Sequence, residues 1–295
     1  MKRIIISACI MALFGLPAMA DWDKGDDAKW VQLPDETYRG LDVDVTNYSV
    51  AGGPMRPILA DDFECRETGY ITNIHIWGSW FNDEPPEVDN LGVLVPDPAA
   101  VSFSLQIWSD NPNGPFGFSV PAQKLWQASF TSDGAGAAGR FTVREYSQVP
   151  GTIKAGYYNP LYHPNYSADN DRKIYQYNFN CWSGLGEFMQ QGSNGNPVTY
   201  WLTVRATPAA NPDGAPLGMF GWKTSTQHWN DNAVWAVSID DPAQSNWWDL
   251  TYPPGHDYEG NPIDLAFVIQ SEMIPEPSSM ALIGLGILAL LRRKK

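Results

Sequence analysis

Four clusters set hard oxygen donors side by side: Asp61-Asp62, Asp169-Asn170-Asp171, Asn230-Asp231-Asn232 and Asp240-Asp241. Carboxylate and amide oxygens at strand ends and loops are the ligands calcium takes, and Asp231, Asp240 and Asp241 are the candidate metal residues. No EF-hand or Gly-Asp nonapeptide spacing accompanies them, and solvated turn residues account for the same clusters. Calcium is therefore the one cofactor the chain leaves open. Thirteen tryptophans point to a second chemistry: the apolar faces of sugar rings stack on exposed indoles while Asn, Asp and Gln bind the hydroxyls. Trp108, Trp229, Trp235, Trp247 and Trp248 stand at polar faces or in polar loops and are the glycan-binding candidates. Trp77, Trp201 and Trp222 fall inside strand patterns and are expected in the core.

Signals of catalysis are poorer. His75, His163, His228 and His256 are scattered without HExxH or HxH spacing, so each reads as an ordinary polar residue rather than a zinc ligand. No GxSxG elbow is present, and neither Cys65 nor Cys181 carries a mark of activation. Any of ten glutamates could supply a glycosidase carboxylate pair, but none lies in a strand pattern whose burial would raise its pKa. No catalytic residue is assigned. A non-enzymatic protein is expected, with a secreted polysaccharide-active hydrolase or lyase as the alternative.

The elements that must position these residues are strands. Val101, Phe103, Leu105 and Ile107 alternate with Ser102, Ser104, Gln106 and Trp108, the clearest period-two stretch in the chain. Ile71 to Trp77 alternates with apolar residues on both sides, as in a strand buried on both faces. Leu41 to Val45, Lys124 to Phe130, Arg140 to Tyr146, Ile174 to Phe179, Val198 to Ala206, Gly218 to Lys223, Ala233 to Ile239 and Ile263 to Gln270 read as further strands. Asn82 to Pro98, with four prolines, reads as a long surface loop. Gly134 to Gly139 reads as a hairpin connection, and Leu185 to Gln191 is the one stretch of the body able to form a short helix. Nine or ten strands with Gly, Pro and Asn turns predict an all-β fold, a single jelly-roll-like β-sandwich. The body then spans 60–271, preceded by an acidic leader and first strand over 21–59, of which Asp21 to Lys29 is expected to be mobile.

Both ends carry sorting signals. Lys2-Arg3, the apolar run Ile4 to Leu16 and the small residues Ala18-Met19-Ala20 read as a signal peptide over 1–20, removed by signal peptidase. At the other end Pro275-Glu276-Pro277 precedes Met280 to Leu291, twelve residues of Ala, Leu, Ile, Gly and Met, and then Arg292-Arg293-Lys294-Lys295. Roughly 20 apolar residues are needed to span a bilayer core, so this hydrophobic helix is a transient inner-membrane anchor with its cations on the cytoplasmic side. Removing the six basic residues of both ends leaves 13 cations against 33 anions, and the net charge moves from −14 to −20. Such a surface repels phosphate backbones, so nucleic acid is excluded as a partner, and it repels acidic polysaccharide unless a divalent cation bridges the two. Cys9 leaves with the signal peptide. In an oxidising compartment the remaining Cys65 and Cys181 are expected to pair in a disulfide, the alternative being two separately buried thiols.

The Pro-Glu-Pro motif, the short apolar segment and the terminal basic cluster over 275–295 together resemble the PEP-CTERM sorting domain of exported bacterial proteins. That resemblance implies recognition and cleavage by an exosortase, a Gram-negative-type envelope, and delivery to the cell surface or extracellular matrix with exopolysaccharide as a partner. Ala60 to Cys65, Ile74 to Trp80, Tyr200 to Val204, Phe220 to Ser225, His228 to Trp235 and Asp264 to Ile269 resemble an uncharacterised domain that recurs beside this tail. It implies a β-rich extracellular body and no established activity.

Overall fold

The computed structural model describes residues 21–47, 57–161, 165–181, 186–211, 214–237 and 247–273. The signal peptide, His163, Asp240, Asp241 and the tail with Pro275, Glu276 and Pro277 lie outside them. The described residues are all-β. In chain order the strands are β1 (Trp30–Gln32), β2 (Leu41–Asp44), β3 (Pro57–Cys65), β4 (Gly69–Trp80), β5 (Glu87–Asn90), β6 (Val93–Pro96), β7 (Val101–Asn111), β8 (Val120–Thr131) and β9 (Gly139–Gln148). They continue with β10 (Ala155–Asn159), β11 (Asn165–Asp171), β12 (Lys173–Asn180), β13 (Met189–Gln190), β14 (Val198–Pro208), β15 (Phe220–Lys223), β16 (Val234–Val237), β17 (Trp248–Asp249) and β18 (Phe267–Met273).

Two layers face each other. One runs β11-β10-β2-β15-β4-β12-β9, with β18 and then β1 added beside the first half of β4. The other runs β8-β7-β14-β3-β16-β17. The predicted hairpin over Gly134 to Gly139 is instead the crossover between layers, because β8 and β9 pair in parallel only at Phe130↔Gly139 and Thr131↔Arg140. The side chains that alternate inward from both layers meet in one core. Phe103 of β7 stands at its centre, with Phe141, Tyr177, Phe179 and Phe220 around it at 5.0–5.4 Å between ring centroids. Edge-to-face pairs of this kind contribute about 0.5–1.5 kcal/mol each beyond their buried area.

Both outer faces are also roofed. Over the first layer, Trp22 packs edge-on against Trp77 at 6.0 Å in a cluster with Ile174, Ala266 and Val268. Trp22 is 2 % exposed, and its carbonyl accepts hydrogen bonds from Gln176 and Arg144. The segment expected to be a mobile leader is thus a packed cover, because its one large apolar side chain buries on the sheet. Over the second layer, Trp108, Trp201, Val234 and Trp247 form a third cluster with Phe118 against it.

Two sequence expectations change. Asn82 to Pro98 holds a single 3₁₀ turn, Phe81–Asp83, and the separate hairpin β5–β6, whose two-residue turn puts Leu91 and Gly92 at positive φ. It stays off the main sheets, as its prolines require. Gly186 to Gln191 contains β13 and no helix, since Met189 and Gln190 pair with the start of β4. Among the described residues no helix is long and apolar enough to cross a membrane.

The disulfide is also corrected. Cys65 and Cys181 are both free and buried. Each thiol is held on its own layer, Cys65 Sγ 3.1 Å from Glu67 O at the end of β3 and Cys181 Sγ 3.8 Å from Phe179 O after β12. Burial pushes both thiols up, so neither is a ready nucleophile.

Candidate functional site

The polar residues that come together in space lie where β3, the loop after β15 and the start of β18 converge. In β3, Leu59 and Phe63 face the inter-sheet core while Ile58 and Ala60 face the outer cluster. Asp61 and Asp62 therefore point to opposite sides of the same strand. Asp61 is fully buried and accepts from Leu265 N at 2.6 Å, Asp62 N at 2.9 Å and Gln32 Nε2 at 3.3 Å. Burial, then the neighbouring Asp264 and Asp62 charges, push its carboxyl well above the usual range. Asp264 accepts from Trp229 N at 2.8 Å and Gln32 Nε2 at 3.1 Å, and its Oδ1 lies 2.8 Å from His228 Nδ1. Burial raises it to about 6 against those donors.

Asp264 and His228 open onto a cleft of about 360 Å³ lined also by Asp35, Gln227, Tyr252, Tyr258 and Asn261. His256 stacks behind Tyr252 at 4.5 Å and 22° between planes, which fixes that ring. Tyr258 is 39 % exposed at the rim of the cleft, with the Arg39 guanidinium 5.7 Å from its ring centroid and Tyr252 edge-on to it at 5.5 Å. Gln227 is oriented by donation from Leu33 N to its Oε1 at 2.8 Å.

On the other side of β3, Asn230 Nδ2 donates to Asp62 Oδ2 at 2.6 Å, and Ser119 Oγ donates to Asp231 Oδ2 at 2.6 Å. Burial raises Asp62 to about 8, with the Asp264, Asp231 and Asp110 charges adding to it. Among the described residues no group of three or more His, Cys, Asp or Glu is arranged to hold a metal. Of the calcium candidates, Asp231 is engaged in a hydrogen-bond network with Ser119 and Asn230, and Asp240 and Asp241 lie outside the described residues.

The tryptophan candidates divide. Trp108 and Trp247 are buried under the roof of the second layer and are core residues, a correction to their expected exposure. Trp229 is half-buried, edge-on to Trp30 at 5.0 Å. Trp235 and Trp248 face each other across β16–β17 with centroids 4.8 Å apart, and Trp248 is 38 % exposed. Trp77, Trp201 and Trp222 are buried as expected. Sequence reasoning missed Gln32, Asp264, Tyr252, Tyr258 and Asn261. The polar stretch Tyr252 to Pro262 carried the one available signal, aromatics spaced among amides and acids. His75 is buried between Asn178 and Gln270 as a structural residue.

Residues 28–270 match the family described as a domain of unknown function, DUF7901, and residues 274–295 match the PEP-CTERM protein-sorting motif. No curated protein matches the chain. No solved structure does either. The sorting motif marks export across the inner membrane and exosortase processing, with delivery to the cell surface or beyond. By the extent of the match, covering the strands of both layers, the chain belongs to the DUF7901 domain family and carries a PEP-CTERM sorting motif after that domain.

Proposed function

We propose that the DUF7901 body is a non-enzymatic glycan-binding domain that attaches its host to neutral exopolysaccharide at the cell surface. The observation that carries this reading is the cleft beside His228, where the partly exposed ring of Tyr258, with Arg39 beside it, lies among Gln227, Asn261 and Asp264. An aromatic face with amide and carboxylate groups around it matches the two sides of a sugar ring, apolar faces and an equatorial belt of hydroxyls. The −20 charge expected of the processed chain favours neutral over acidic polymers. Trp248, 38 % exposed over the half-buried Trp235, supplies a second aromatic surface for a chain longer than the cleft.

A glycan array followed by titration calorimetry tests the reading. Neutral oligosaccharides are expected to bind, and Tyr258→Ala to weaken them by about tenfold, the loss of one stacking contact of about 1.4 kcal/mol. Absence of binding to any neutral glycan would reject it. The alternative, a polysaccharide-active hydrolase or lyase, draws support from the Asp264–His228 pair at the cleft. Release of reducing ends or unsaturated products by the purified protein, abolished in Asp264→Asn, would favour that alternative.

A further inference from the structure

The outer face of the first layer holds a buried charged group that the glycan cleft does not use. Lys223 of β15 stands directly opposite Asp42 of β2 in the antiparallel register, and its Nζ lies 2.6 Å from Asp42 Oδ2. Both side chains are 0 % exposed. Among the described residues that contact is the ammonium group's one hydrogen bond, and Asp42 Oδ1 has no hydrogen-bond partner among them. An ammonium group has three donors, so this ion pair leaves two of them without an acceptor among those residues; burial works against the charge, and the Asp42, Asp171 and Asp35 carboxylates outweigh it and hold the Lys223 proton above its ordinary pKa. A third buried carboxyl, Asp171, lies against the pair. Its oxygens make no hydrogen bond of ordinary geometry, yet they are close enough to interact with the charges of Asp42 and Lys223.

We propose that Lys223 and Asp42 become joined by an intramolecular isopeptide bond, an amide between Lys223 Nζ and Asp42 Cγ, with Asp171 as the proton relay. The step balances without an oxidant or reductant. The ammonium gives a proton to the Asp42 carboxylate, and the neutral amine lone pair then attacks Cγ. Asp171 passes a second proton from Nζ to the departing oxygen, the Cγ–O bond breaks and one water leaves. An ammonium and a carboxylate thus become a secondary amide plus water, with net charge zero before and after. Burial raises both Asp42 and Asp171, which favours the protonated carboxyls the step needs. Exclusion of bulk water from the site opposes the reverse hydrolysis. The bond would tie β2 to β15, strands 181 residues apart in sequence at these two positions. It would thereby supply a covalent brace to an exported sandwich whose two buried cysteines are unpaired.

The test is a tryptic map of the denatured full-length exported protein by mass spectrometry. Trypsin cannot cut after an acylated lysine. The peptide beginning at Ala206 should run uncut through Lys223 and carry the Gly40–Arg66 peptide as a branch, about 18 Da lighter than the two together for the loss of one water. Linear forms of both peptides in the wild-type protein would overturn the proposal, as would a water loss mapped to other residues. This measurement needs no variant, so a folding defect cannot obscure it. Lys223→Met should abolish the branch. Asp42→Asn should form it with loss of about 17 Da, because ammonia then leaves in place of water. Asp171→Asn is expected to leave the peptides unlinked, and a complete link in that variant would overturn the relay.

Discussion

Asp61 and Asp264 accept hydrogen bonds from one amide nitrogen, Gln32 Nε2, at 3.3 and 3.1 Å. Two buried carboxyls with elevated pKa values are thereby oriented by a donor from β1, a strand of three residues at the margin of the sheet. Gln32→Leu removes that donor and keeps most of the volume. It should destabilise the domain by about 1–3 kcal/mol near neutral pH, the cost of leaving buried acceptors unmet. The loss should shrink near pH 5, where Asp264 at about 6 and the more strongly raised Asp61 hold protons of their own. Urea unfolding at the two pH values measures it; an equal loss at both would show that the carboxyls are not what Gln32 serves.

Stability should fall as pH rises. Burial lifts Asp44 and Asp264 to about 6 and Asp62 to about 8, whereas in the unfolded chain such carboxyls titrate near about 3.9. Between those values the folded state holds protons that the unfolded state has released. Each such group then removes about 1.4 kcal/mol per pH unit. The stabilising contribution is complete below about pH 4 and lost as pH passes through about 6 and then about 8. Calorimetry should give a higher Tm near pH 5 than near pH 8.5. Asp62→Asn keeps an oxygen to accept from Asn230, so it should raise Tm at the alkaline end and leave the acid end nearly unchanged. A Tm that climbs with pH over this range would contradict the assignment.

Trp22 anchors the N-terminal cover to the first layer. Trp22→Ala should destabilise by about 3–5 kcal/mol, as for other buried large aromatics. Hydrogen exchange should show faster exchange in β12 and β18, whose Ile174 and Val268 share its cluster. A loss under about 1 kcal/mol would mean that the segment does not stay seated, because substitutions at exposed sites fall in that range.

Strands were legible where one face alone meets the core. β7 declares itself because Val101, Phe103, Leu105 and Ile107 all turn inward. In β4 the pattern is broken by an irregularity opposite Gln270 and Ser271 that skips Thr72, so Ile71 and Ile74 both reach the core three residues apart. β3 was hidden because two adjacent acids occupy buried strand positions, and what makes this tolerable is distant: Gln32, 29 residues back, and Leu265, 204 residues on. Trp108 and Trp247 were misread for a related reason. A polar-flanked indole looks alike on an open sheet face and on one roofed by a loop, and the roof is decided by tertiary packing alone.

The two cysteines give a prediction in which compartment and geometry disagree. Export favours oxidation, yet each thiol is buried and hydrogen-bonded to a carbonyl of its own layer. The backbone at Gly192 packs directly over Cys65, so closely that a Cβ there would lie 2.1 Å from the Cys65 carbonyl oxygen and 3.1 Å from its Sγ. A thiol reagent should therefore leave both cysteines unmodified in the native protein, because burial suppresses the thiolate, and should count both after denaturation without reductant. Tm should not change when reductant is added. Cys181→Ala should cost about 1–2 kcal/mol, the loss of one small buried group rather than of a crosslink closing a loop of more than a hundred residues, which would be worth about 4–5 kcal/mol. A Tm drop on reduction, matched by that larger loss in the variant, would instead require the two layers to move so that Cys65 and Cys181 meet.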